Sequence, residues 1–186
     1  AGSIGLPLPN VKVRIVNPET FEDIKSGEVG EIWLKGPNVT PGYWEKPQET
    51  ETAFVNGWFR TGDLGKKDED GYYYITDRLK HIIISGGENI SPKEIESVLD
   101  RHQKILESCV IGVPDEKWGE KVVAAIVLKP GANLKTKEIE DYCKGHLLDW
   151  KCPKEIFLLE ELPRNRMGKV MKEEVAKCFL DRLHLT

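Results

Sequence analysis

Short segments of this 186-residue chain carry side chains placed as chemistry would need them. In GWFRTGDLG, residues 57–65, Thr61-Gly62-Asp63 sets a carboxylate in a turn behind an aromatic strand end. Such a carboxylate can accept hydrogen bonds from the vicinal hydroxyls of a ribose, although Asp is also a common turn residue. Arg78 and Lys80 follow in TDRLK, where the texture of the sequence changes, and by themselves they read as surface ions. Gly86-Gly87 in ISGGENIS suits a tight hairpin turn. In LPRNRMGKV, Lys169 stands after a glycine on a short irregular link before the last helix. A lysine at a loop tip can reach into a neighbouring active site and offset charge on a transferring phosphoryl or carboxyl oxygen; a solvated lysine is the plain alternative.

The elements that must position these residues differ between the two halves. VKVRIV at 11–16 and EIWLK at 31–35 alternate apolar and charged residues, which predicts strands with one buried face. Closely spaced turn signals follow, among them Pro41-Gly42, Asn56-Gly57 and Asp70-Gly71, so residues 1 to about 78 read as all-β. After Lys80 strands and helices alternate. HIIIS is a β-branched strand leading to the glycine pair, and Ser91-Pro92 opens a helix to about Arg101 with Ile95, Val98 and Leu99 as its apolar stripe. Strands over SCVIGV and KVVAAIVL, a helix from about Lys135 to Leu148, the strand EIFLLE and a helix from Met171 to Leu183 complete an α+β pattern. The last helix carries Val175, Phe179 and Leu183 on one side.

Composition narrows the function classes. With 27 basic and 31 acidic side chains the formal charge is -4, which offers no global attraction to nucleic acid or anionic lipid. No apolar run approaches the roughly 20 residues of a membrane helix, and the opening segment lacks a signal core. The four cysteines form no CxxC pair, which predicts free thiols, no metal centre of this chain's own, and a cytoplasmic or otherwise reducing compartment. The chain starts at Ala1 in turn and strand texture, and so reads as a piece of a longer protein.

Taken together and in order, GEVGEIWLKGPNVTPGYWEKPQET, GWFRTGDLG, GYYYITDRLKHIIISGGENISPKEIE and ELPRNRMGK resemble the AMP-forming acyl-CoA synthetases of the adenylate-forming superfamily. ISGGENISPKEIE and WKCPKEIFLLEELPRNRMGKV look most like malonyl-CoA synthetases and related acyl-CoA ligases. The resemblance implies an α/β protein: an all-β end of a large amino-terminal domain over residues 1–79, then a small, mobile α+β lid over 80–186. It also implies the chemistry. ATP and a small carboxylic acid give an acyl-adenylate and pyrophosphate, and the thiol of coenzyme A then displaces AMP, the lid rotating between the two steps.

Carried onto this chain, the resemblance assigns Asp63 and Arg78 to the ribose of ATP, Asn89 to the surroundings of the nucleotide and Lys80 to the hinge. Gly86 and Gly87 would line the channel for the pantetheine arm, where no Cβ obstructs a ligand. Lys169 would be the catalytic lysine of adenylation. The family's Ser/Thr/Gly-rich phosphate loop and its magnesium-binding glutamate do not occur here, and Pro163 and Val170 rule out a Walker A motif around Gly168-Lys169. The magnesium ligand and acyl pocket are therefore expected upstream, on an amino-terminal portion that the chain needs as its partner, and the chain alone is expected to be inactive. Two other classes are distinguishable. A carrier-loading adenylation domain would prefer a phosphopantetheinylated protein to free coenzyme A, and a non-catalytic split subunit would have a start codon just upstream of Ala1.

Overall fold

The computed structural model describes residues 2–183. Ala1, residues 184–186 and the side chain of Leu183, the last position of the predicted closing stripe, lie outside the described residues. The chain divides into two compact units, Ala1–Lys80 and His81–Thr186.

In the first unit, strands β1 (Lys12–Val16), β2 (Gly30–Lys35), β3 (Phe54–Val55), β4 (Trp58–Lys67) and β5 (Tyr73–Arg78) form one antiparallel sheet. β2 joins β1 to β4, while β3 pairs with the start of β4 and β5 with its end. Ile15, Ile32 and Tyr73 make the core, with Val13, Ile24 and Leu34 packed on it. The all-β expectation needs one correction, the helix α1 (Pro47–Ala53). Pro47 starts it and Glu49 favours its first turn, but the helix buries no residue, so no apolar stripe announces it.

The second expectation to be corrected is the one-sided β2. Glu31 is only 1% exposed and Trp33, on the same face, is 1% exposed, so both faces of this strand are covered. Elsewhere the first unit leaves large apolar side chains in solvent, among them Leu8 and Trp44.

The second unit is a mixed five-stranded sheet with helices on both faces. Its strands are β6 (Ile83–Ser85), β7 (Glu88–Ile90), β8 (Ile105–Asp115), β9 (Gly119–Leu128) and β10 (Glu155–Leu159). β9 is central: β8 runs antiparallel along it and β10 parallel. Alternate residues of β9 feed two cores. Val122, Ala124 and Ile126 face Ile95 and Leu99 of α2 (Pro92–Leu99) and Ile139 and Cys143 of α3 (Thr136–Lys144). Val123, Ala125 and Val127 pack with Val175 and Phe179 of α4 (Lys172–Leu183). Burial on both faces is why KVVAAIVL is a continuous apolar run and not an alternating one.

α3 stops at Lys144, four residues short of the predicted end. The chain turns at Gly145–Leu147, whose Leu147 still packs on the core. All four cysteines are free thiols, and burial pushes Cys109 and Cys143 up to about 12. Those two are apolar core fillers held in the neutral thiol form. Among the described residues no helix is long and apolar enough to cross a membrane.

Candidate functional site

The first unit carries a bulge where a turn was expected. Glu31 of β2 faces Leu64 of β4 and Trp33 faces Arg60, so Thr61, Gly62 and Asp63 stand opposite Ile32 alone. Gly62 takes the left-handed φ of 69° that such a bulge demands. Asp63 is therefore a strand residue re-aimed by a bulge, not a turn residue. Thr61 Oγ1 donates to the carbonyl of Ile32 at 2.7 Å and accepts from Asp63 N–H at 3.0 Å, closing the bulge from within.

Glu31 holds it from the other side. Its Oε2 accepts from Nε and Nη2 of Arg60 at 3.1 and 3.0 Å, and its Oε1 accepts from Gly62 N–H at 3.2 Å. The Arg60 guanidinium lies 5.1 Å from the ring centroid of Phe21 and 5.9 Å from that of Trp33, within cation–π range. Neither Glu31 nor Arg60 was singled out from the sequence. The available signal was Trp33, whose size on the Glu31 face of β2 argues that this face is covered.

The bulge brings Asp63 opposite Arg78 of β5, and Arg78 Nε pairs with Asp63 Oδ1 at 3.0 Å. Oδ2 of Asp63 makes no bond among the described residues and its side chain is partly open to solvent. Beside the pair lies an open cleft of ≈ 490 Å³, lined by Glu31, Arg60, Thr61, Gly62, Arg78 and Lys80 among others. Lys80 sits in a 3-10 turn, Leu79–His81, that spans the division between the two units. Of the residues predicted from sequence, the first unit thus gathers Asp63, Arg78 and Lys80.

The second unit holds the rest in two places. Gly86 and Gly87 form the two-residue turn of the β6–β7 hairpin, with φ of 61° and 85°, the paired left-handed conformation of a type I′ turn. Gly86 N–H donates to the carbonyl of Trp118 at 2.8 Å, and a Cβ on Gly86 would lie 3.2 Å from the Trp118 ring. A Cβ on Gly87 would meet nothing within 4 Å. Asn89 is an exposed residue of β7 paired with Ile84.

Lys169 stands apart from the hairpin, on a tight loop closed by a bridge between Arg164 and Val170. Gly168 before it has φ of 79°. The residue is exposed and its ammonium makes no hydrogen bond or ion pair among the described residues, which leaves Nζ available to a ligand.

Comparison with known proteins gives these two units relatives. The family described as AMP-binding enzyme C-terminal domain matches residues 94–169, and that described as AMP-binding enzyme matches residues 1–44. A long-chain-fatty-acid–CoA ligase of Bacillus subtilis is 43% identical over 99% of this chain and 33% of its own length. An indoleacetate–CoA ligase of Aromatoleum aromaticum is 44% identical over 94% of this chain and 34% of its own length. The crystal structure of ATP-bound MatB from Rhodopseudomonas palustris is 42% identical, with a TM-score of 0.91 over 96% of this chain and 36% of that one. The chain thus spans about a third of the length of the relatives it matches.

Proposed function

We propose that this chain, which belongs to the adenylate-forming AMP-binding enzymes as a carboxy-terminal part, serves an AMP-forming acyl-CoA synthetase. Such an enzyme joins a carboxylic acid to AMP at the expense of ATP and then passes the acyl group to coenzyme A. The observation that carries the reading is the Asp63–Arg78 pair, set by a bulge beside an open cleft that Arg78 lines. Arg78 orients the carboxylate through Oδ1, which leaves Oδ2 to accept from ribose hydroxyls.

The other assignments follow the same reading. Lys169, on an exposed loop with an unpaired ammonium, offsets the negative charge that builds between the acid's carboxylate and the α-phosphate. Lys80, in the turn at the division between units, is the hinge at which a few torsions reorient the second unit. Residues 1–79 are then the end of the large domain and 80–186 the lid. Asn89 contributes a polar edge near the nucleotide. Among the described residues no three acidic, histidine or cysteine side chains cluster to hold a metal ion. Free thiols suit a reducing compartment.

The hairpin serves the second step. Gly87 has open space where a side chain would be, as close passage of a pantetheine arm requires. Asn tolerates a left-handed backbone better than other L residues, so Gly87→Asn adds a side chain with less strain than a bulkier or branched residue would. It is expected to slow thioester formation by roughly 10–100-fold while sparing adenylation, measured as separate half-reactions on the enzyme extended upstream of Ala1. Selective loss of adenylation would overturn the channel assignment.

The function itself is tested by ATP–pyrophosphate exchange on that extended enzyme, against short and medium carboxylic acids including malonate. Exchange is expected with at least one acid and none from the present chain alone. A folded, ATP-binding enzyme that exchanges with no acid would point to the carrier-loading or non-catalytic class.

A further inference from the structure

An exposed lysine on a short loop has many rotamers, and stabilising developing charge calls for a donor already in place. The loop that presents Lys169 is organised from one residue. The Oδ1 of Asn165 accepts from the backbone N–H of Met167 at 3.0 Å and of Lys169 at 2.9 Å. Its main chain adds two more bonds: the carbonyl accepts from Gly168 N–H at 2.9 Å and the N–H donates to the carbonyl of Lys169 at 2.9 Å. Two convergent N–H donors also fix the carboxamide orientation, because the oxygen must face them. Lys169 is thereby pinned through both its N–H and its carbonyl to one side chain and one peptide.

The loop as a whole is fastened to the sheet. Nη1 of Arg164 donates to the carbonyl of Gly168 at 2.7 Å, and its Nη2 pairs with Glu107 of β8. Met171 N–H bonds back to the carbonyl of Pro163 at 2.9 Å, which fixes the exit into α4. The stem is therefore tied at both ends, and among the described residues the carboxamide of Asn165 makes the one side-chain bond to the backbone of Lys169 itself.

We infer that Asn165 is a positioning residue for Lys169, acting through the two N–H groups its side chain holds. The inference rests on the role proposed for Lys169, and the experiment separates the two. On the extended enzyme, three variants are compared: Lys169→Ala, Asn165→Ala and Asn165→Thr. Each is followed by the adenylation rate, by transfer from supplied acyl-adenylate to coenzyme A, and by amide hydrogen exchange of the peptide containing residues 165–170.

Asn165→Ala is expected to speed exchange in that peptide and to lower adenylation kcat by roughly 10–100-fold, with the KM for ATP little changed and transfer preserved. Thr offers a hydroxyl acceptor to the same turn, more weakly, and is expected to recover part of both losses. Unchanged exchange in Asn165→Ala would overturn the inference, because the carboxamide would then not be holding the loop. Faster exchange with normal adenylation would overturn it too, provided Lys169→Ala is defective. Equal loss of both half-reactions would reduce Asn165 to a general structural part. Should Lys169→Ala itself adenylate normally, the role of Lys169 falls, and this inference falls with it.

Discussion

Lys169→Ala in the extended enzyme is expected to lower the rate of acyl-adenylate formation by roughly 10²–10³-fold, the scale on which loss of one preorganised charge-stabilising donor acts. Transfer from supplied acyl-adenylate to coenzyme A should remain largely intact, since charge on the phosphoryl and carboxyl oxygens builds in the first step. Folding should hardly notice. The ammonium of Lys169 bonds nothing among the described residues, and the two main-chain bonds that fix the residue are open to alanine as well. Exposed substitutions of this kind shift stability by within about 0.5 kcal/mol. Lys169→Arg should fall between, because it keeps the charge but replaces a compact point donor with a planar fork of different reach. Equal loss of both half-reactions would show that the lysine is not specific to adenylation.

Much of the second unit was legible because its sheet and helices obey simple periods. SCVIGV and KVVAAIVL lie within β8 and β9, and EIFLLE is strand as far as Leu159, but HIIIS is strand only from Ile83, because His81 closes a 3-10 turn. Ser91-Pro92 opens α2 where expected. The ends of elements were less legible: Gly145 after Lys144 is a helix-stop signal and caps α3, but Leu147 continues to serve the core beyond it and so extends the apolar stripe past the true end. α1 escaped notice for the opposite reason, since a helix with no buried residue leaves no period.

The site divides in the same way. Asp63, Arg78 and Lys169 could be named because they fall in long motifs, but their geometry could not. TGD reads as a turn until the pairing of β2 with β4 shows three residues opposite one. Asn165 draws its importance from where its oxygen points, and Arg164 from Glu107, 57 positions away in sequence. Contacts of that kind are set by the fold, so residue type alone does not reveal them.

Glu31 and Arg60 offer the sharpest test of how the proposed nucleotide site of the first unit is held. Glu31 is 1% exposed, whereas the Arg60 side chain is 26% exposed and shares the rings of Phe21 and Trp33. Removing the arginine should therefore cost more than removing the acid, because it strands the more deeply buried charge. Arg60→Leu is expected to destabilise the β2–β4 ladder by roughly 3–5 kcal/mol, the cost of breaking a buried pair from one side. Glu31→Leu should cost less, since Arg60 retains a route to water, but it also frees Gly62 N–H and so loosens the bulge that aims Asp63. The double variant should recover most of the stability, as apolar replacement of a buried pair commonly does, yet it should still bind ATP more weakly than the parent. Hydrogen exchange of β2 and β4 amides measures the opening free energy of this ladder separately from the second unit. A change below about 0.5 kcal/mol in Arg60→Leu would mean that water reaches Glu31 freely. Parental ATP affinity in a stable double variant would mean that the bulge keeps its shape without the pair.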